Sequence, residues 1–282
     1  MNKNAIVAES YNLAVEAGFN SFLEEHATSQ NCEVKIDEDK LIKEVEDKWL
    51  NIVITEIGNI TPKEYIDSLV SLEALAEFFI EIASISDIGV PNIVIDRLRE
   101  YGKPAADMLF NFVKASFDSK DPNKRLAISQ AVYAIGCLRH DEYKEKLIKL
   151  LIDCCNDDMI SEAICAAITE YEDTILQELI KTFHETDQEV VRENLLICVA
   201  EISSEHPSDE AFFFFKNAFR AISNIQLAAE VLGDYGDGRA IPLLRGYILK
   251  NLNDIDKDTF NHLRAVIKKL GGEINDLMYK EV

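Results

Sequence analysis

Apolar residues recur along this chain at spacings of three and four, and alternation with period two is nearly absent. That spacing predicts helix after helix. In SLEALAEFFIEIAS, Leu72, Leu75, Phe79 and Ile82 fall on one stripe, Glu73, Glu77 and Glu81 fall on another, and Ser71 is placed to cap the start. The same grammar runs through PAADMLFNFVKAS, KRLAISQAVYAIGCL, YKEKLIKLLIDC, MISEAICAAITEY, TILQELIKTFHE, VVRENLLICVAEIS, AFFFFKNAFRAI, IQLAAEVLGDYG, RAIPLLRGYIL and TFNHLRAVIKKLGG. The connections are short and rich in Asp, Asn and Ser, whose side chains bond nearby backbone groups in caps and turns.

One kind of helix carries small residues at its centre and ends in a turn. Its ends, aligned at Gly136, Glu170, Ser203, Gly233 and Gly271, step by about 30 to 38 residues, the range of helical repeat units. A helix of larger aliphatics follows each. Small residues let paired helices approach closely, and large ones fill the grooves between successive pairs. A lone pair cannot bury its apolar face, so pairs must stack.

The stretch LGDYGDGRAIPLLRGYIL carries the sharpest signal. Leu232, Gly233, Asp234, Gly236, Asp237, Ala240, Ile241, Pro242, Leu243 and Leu244 resemble the unit of HEAT-like repeats, in the short form named after phycobiliprotein lyases. Gly233 is expected to end one helix with positive φ, Asp237 or Gly238 to start the next, and Pro242 to sit in its first turn, where no donor is lost. The resemblance covers about residues 90 to 272; Gly136 and Gly271 keep the glycine, while Glu170 and Ser203 replace it. It implies an all-α fold, an α-solenoid of stacked antiparallel helix pairs coiled as a right-handed superhelix. Residues 1–60, with two longer helical patterns and the polar link SQNCEVKIDED, are expected to cap that solenoid or to form a separate hairpin. Residues 61–282 form the solenoid itself.

Charge narrows the partners. The formal net charge is −22, and residues 238–282 hold eight Lys+Arg against six Asp+Glu, leaving −24 on residues 1–237. Such a surface repels nucleic-acid phosphates and anionic lipid and attracts basic proteins. The N-terminus lacks the apolar core of a secretory signal, and no run approaches membrane-span length. Six cysteines without a C-x-x-C pair fit a reduced, cytoplasmic protein.

Candidate chemistry has a plain reading beside each sharp one. Gly233-x-x-Gly236-x-Gly238 lacks the strand and the Gly-Lys-Ser/Thr ending of a phosphate loop, so it is read as a turn. Asn253–Asp258 alternates acids as a calcium loop does, but Thr259 and Ala265 stand where glycine and glutamate are needed. Asp258 is instead read as a helix cap. Only His184-Glu185 has the order of the di-iron pairs found in some HEAT-repeat hydroxylases, so no metal or other cofactor is expected. Phe212, Phe213, Phe214, Phe215 and Phe219 surround one helix, which predicts burial on most sides or an aromatic groove for a partner.

The resemblance implies a non-catalytic protein–protein interaction scaffold; it names no partner, and the acidic charge leaves a basic protein open as one. Its exposed polar positions between apolar stripes would choose the ligand: Gln130, Tyr133, Glu162, Thr169, Arg192, Glu193 and Glu230. Ordinary solvated residues are the plain alternative for each. Two other readings stay open. One is an enzyme, by resemblance to HEAT-like DNA glycosylases or chromophore lyases. The other is an acidic inhibitor or immunity-type protein for a basic target.

Overall fold

A computed structural model describes residues 2–26, 38–86, 88–205 and 207–279. Cys32, His206 and most of the link after residue 28 lie outside the described residues, as does the side chain of His26. Fifteen α-helices occur among the described residues, and the only extended pairing there is an isolated bridge, Ile54 to Ile60. The all-α expectation holds. The chain divides into two compact units, Met1–His140 and Asp141–Val282.

The first unit holds α1 (Lys3–His26), α2 (Glu38–Trp49), α3 (Pro62–Ser68), α4 (Leu72–Ala83), α5 (Asn92–Tyr101), α6 (Lys103–Ser116) and α7 (Pro122–Cys137). Ser71 caps α4 by accepting from the Ala74 amide, and Leu75, Phe79 and Ile82 are fully buried, as the stripe requires. α1 packs on both α2 and α4, and α4 packs on α7. Long bonds knit α1 in: Asn12 Nδ2 donates to the Ile85 carbonyl, and the Tyr65 hydroxyl donates to Asn4. Trp49, the single tryptophan, is buried edge-on to Tyr11, with its indole N–H donating to Ser10 at 2.9 Å.

Glu46 of α2 is the one fully buried carboxylate among the described residues. It accepts from the Tyr11 hydroxyl and from the backbone and side-chain nitrogens of Asn92. Asn92 opens α5 behind Pro91, which offers no side-chain cap, so a carboxylate from another helix meets an uncapped N-terminus. Burial pushes the Glu46 carboxyl above the ordinary carboxylate range, against the lowering effect of the Asn92 donors.

The second unit holds α8 (Lys144–Cys154), α9 (Asp158–Thr169), α10 (Leu176–Glu185), α11 (Glu189–Glu205), α12 (Asp209–Ala221), α13 (Ile225–Tyr235), α14 (Ile241–Lys250) and α15 (Lys257–Lys269). Helices pack in consecutive pairs: α8 on α9, α10 on α11, α12 on α13 and α14 on α15. The second members also pack on one another in order, α9 on α11, α11 on α13 and α13 on α15. Side-chain bonds join the same places from pair to pair. Cys155 reaches Gln188, Gln177 reaches Glu210, and Gln226 reaches Thr259, each across 33 residues. Residues 273–279 fold back over the last pair: Leu277 is buried, Arg245 holds Asp276, and Tyr279 lies against Phe260.

The glycine-rich stretch is a turn, with two corrections to the expected residue roles. α13 runs two residues past Gly233 to Tyr235, and Gly236 takes the left-handed conformation, φ 78°. Gly233 is needed for space instead. A β-carbon there would sit 2.8 Å from Val266 Cγ1 of α15. Asp237 caps the 3₁₀ turn that leads into α14, and Pro242 lies in the first turn of α14, as expected. The cap of α15 is Asp256, which accepts from the Thr259 amide at 2.8 Å, and not Asp258, which lies inside the first turn.

Candidate functional site

Each second helix of the second unit buries one side against its own pair and its neighbours, and leaves one stripe in solvent. On α9 the stripe carries Met159, Glu162, Cys165 and Thr169; on α11 it carries Val190, Glu193, Ile197 and Glu201; on α13 it carries Gln226, Glu230 and Asp234. These positions recur every three or four residues, which keeps them on one face of each helix. The three helices pack side by side, α9 on α11 and α11 on α13.

Five of the seven residues read from the sequence lie on these helices. Glu162 and Glu230 are exposed, and Glu193 is half-buried. Arg192 is half-buried and faces Asp187 at 3.9 Å, while its Nε is buried without a hydrogen-bond partner. Thr169 donates its hydroxyl to the Ala166 carbonyl of its own helix at 2.9 Å. Gln130 and Tyr133 sit on α7, in the first unit. Gln130 is half-buried, and a β-carbon on Gly89 would meet its Oε1 at 3.3 Å. Tyr133 is exposed. The seven therefore split between the two units.

Sequence reasoning missed the apolar part of the surface. Met159, Val190 and Ile197 are 43%, 41% and 42% exposed, although each belongs to an apolar run. Ile197 has Glu193 one turn before it and Glu201 one turn after it. Cys165 of the same face touches a buried thiol, Cys198 of α11. The hydrogen bond that the Cys198 thiol makes to Cys165, together with burial, holds the Cys198 thiol well above the ordinary cysteine value.

Three basic residues near the C-terminal end of the unit, Arg239, Arg245 and Lys269, are paired with acids. Arg239 lies between Asp237 and Asp209, 2.6 and 2.8 Å away, and stacks over the Phe212 ring at 4.2 Å. The Arg239 guanidinium holds the Asp237 carboxyl below the usual range. Arg245 pairs with Asp276, and Lys269 pairs with Asp234. Beside Arg239, a polar notch of about 460 Å³ is lined by Pro207, Ser208, Asp209, Tyr235, Gly236, Asp237 and Gly238. There the Tyr235 hydroxyl bonds both the amide and the carbonyl of Ser208, tying the turn after α13 to the start of α12. The notch binds its own elements together.

The aromatic run resolves into a core. Phe212, Phe214, Phe215 and Phe219 are buried, and only Phe213 reaches solvent, at 52%. Phe214 packs edge-on to Phe183 of α10 at 5.0 Å, and Phe219 packs on Tyr247 of α14 at 5.3 Å. This helix fills the groove between neighbouring pairs. A second cavity, about 350 Å³, lies between α1 and α2 and is lined by Gly18, Phe22, Val45 and Trp49 among others.

Among the described residues, no three His, Cys, Asp or Glu side chains are grouped to hold a metal ion. No helix there is long and apolar enough to cross a membrane. Comparison with protein-family models, curated proteins and solved structures finds no match to this chain.

Proposed function

We propose that the chain is a HEAT-like α-solenoid, coiled in the right-handed sense of such repeats, that acts as a non-catalytic binding scaffold for a basic protein. Two observations support the architecture. The second helices of consecutive pairs pack in sequence order, and the bonds between pairs repeat at nearly constant separation. On this reading residues 273–279 cover the last pair of the second unit.

One observation carries the function. The outward stripes of α9, α11 and α13 hold Glu162, Glu193, Glu201 and Glu230, while Arg192 of α11 is turned to Asp187. A row of carboxylates of one sign steers a basic partner and sets its register. The test is affinity capture on the immobilised protein and on a Glu162→Lys, Glu193→Lys, Glu230→Lys variant, at low and moderate salt. A basic protein held stoichiometrically by wild type, released by salt and lost from the variant, supports the reading. Equal retention by the variant, or retention of no basic protein, sinks it.

A further inference from the structure

We infer that the exposed face of α9, α11 and α13 seats an amphipathic helical segment of its partner, with an apolar stripe on Ile197 and lysines or arginines on both flanks. The inference rests on the binding-scaffold reading and specifies the ligand. Carboxylates alone would ask only for positive charge. This face asks for more, because its centre is apolar. Ile197 stands at mid-helix and leaves 42% of its surface in solvent, an apolar patch that the fold does not cover. Val190 lies two turns before it, and Met159 lies on the adjacent helix.

The carboxylates surround that centre. Glu193 and Glu201 flank Ile197 along α11, Glu162 stands on the neighbouring helix α9, and Glu230 stands on α13. A segment whose apolar side chains met Ile197 would carry its cations onto these acids only if they bordered its apolar stripe on both sides. That pattern belongs to a cationic amphipathic helix, which reads as apolar anchors at helical spacing laid on an apolar strip. Charge speeds the encounter, and the desolvated apolar centre holds the complex.

The probe is a synthetic helical peptide of about 18 residues, roughly five turns, made of leucine and lysine with the leucines on one face. A control peptide has the same composition with the leucines scattered. Binding is read by fluorescence anisotropy at about 50 and about 300 mM salt, which span weak and strong screening. The facial peptide should bind about tenfold or more tighter than the scattered one, a difference of about 1.4 kcal/mol. Ile197→Ser and Met159→Ser, each at an exposed position, should weaken the facial peptide and leave the scattered one unchanged. Glu193→Lys with Glu230→Lys should weaken both, and Glu178→Lys, exposed on α10, should change neither. If the two peptides bind alike and Ile197→Ser has no effect, the face selects charge alone and this inference fails while the scaffold reading stands. If neither peptide binds at low salt, both fail.

Discussion

Replacing Gly233 with alanine should destabilise the protein, although alanine is the better helix former. In an open helix position this exchange gains about 0.5–1 kcal/mol, because glycine loses more backbone entropy on folding. At Gly233 the new methyl would lie 2.8 Å from Val266 Cγ1, well inside the ordinary carbon–carbon contact of about 3.5–4.0 Å. Val266 cannot turn away easily, because a β-branched side chain in a helix has one strongly preferred rotamer. α13 and α15 must therefore separate, at an overpacking cost of about 1–3 kcal/mol. The net loss is about 1 kcal/mol. Gly246, on the exposed side of α14, is the internal control: a β-carbon there meets nothing within 4 Å, so Gly246→Ala should gain about 0.5–1 kcal/mol. Urea unfolding followed by far-ultraviolet circular dichroism gives both values. Val266→Ala alone should cost about 2 kcal/mol in lost burial and cavity. Combined with Gly233→Ala it should cost less than the two single losses added, since the new methyl then has room. If Gly233→Ala is as stabilising as Gly246→Ala, or if the double variant is strictly additive, the close approach of α13 and α15 is not what the glycine provides.

Other outcomes follow from the buried groups. Glu46→Gln tests the raised carboxyl: because its folded value lies above the unfolded one, the neutral form stabilises at low pH and that contribution is lost as pH rises through the raised value. The stability difference between the two proteins, measured from pH 4 upward (about the carboxylate range), should therefore move in favour of the glutamine variant; a constant difference would show that Glu46 titrates normally. Phe214→Ala should cost about 3–5 kcal/mol as a core truncation, whereas Phe213→Ser at its exposed neighbour should stay within about 0.5 kcal/mol; equal melting temperatures for the two would contradict the burial pattern. Maleimide should modify half-buried Cys165 before Cys198 or Cys154, whose thiol burial pushes up to about 12, and peptide mapping that found Cys198 or Cys154 first would overturn the assignment of the exposed face.

Helix positions were legible in the sequence because a one-sided apolar stripe is a physical requirement of packing, and in SLEALAEFFIEIAS Leu75, Phe79 and Ile82 are buried while Glu73 and Glu77 are exposed. The pairing of small-residue helices with large-aliphatic ones was legible for the same reason. The role of Gly233 was not. Leu-Gly-Asp reads locally as a helix end, but α13 runs two residues further to Tyr235, which is tied to Ser208, a residue remote in sequence. The exchange of Asp258 for Asp256 as a cap is a shift of two residues within an acidic run, where either aspartate satisfies the local rule. The acidic half of the candidate face was legible as polar breaks between apolar stripes, and its apolar half was hidden because apolar residues were assigned to the core. One signal could have exposed it. Leu195–Val199 is an unbroken apolar run of five, and at about 100° per residue such a run passes fully around the helix, so one member had to face outward. Likewise, the repeat pattern runs through residue 140 without a change in composition, so the division into two compact units there left no mark in the sequence.

The nearly constant separation of the ties between helix pairs bears on how the second unit comes apart. Its side-chain bonds between successive pairs span 30 to 35 residues, so each pair is secured chiefly by the pairs beside it. A unit built this way has low contact order and can assemble from any pair that forms early. Its amide protons should exchange in a graded profile, fastest at the ends and slowest around α11, rather than in one step. A ligand lying across α9, α11 and α13 would bridge three pairs that otherwise hold only their immediate neighbours, and it would make their opening a single event.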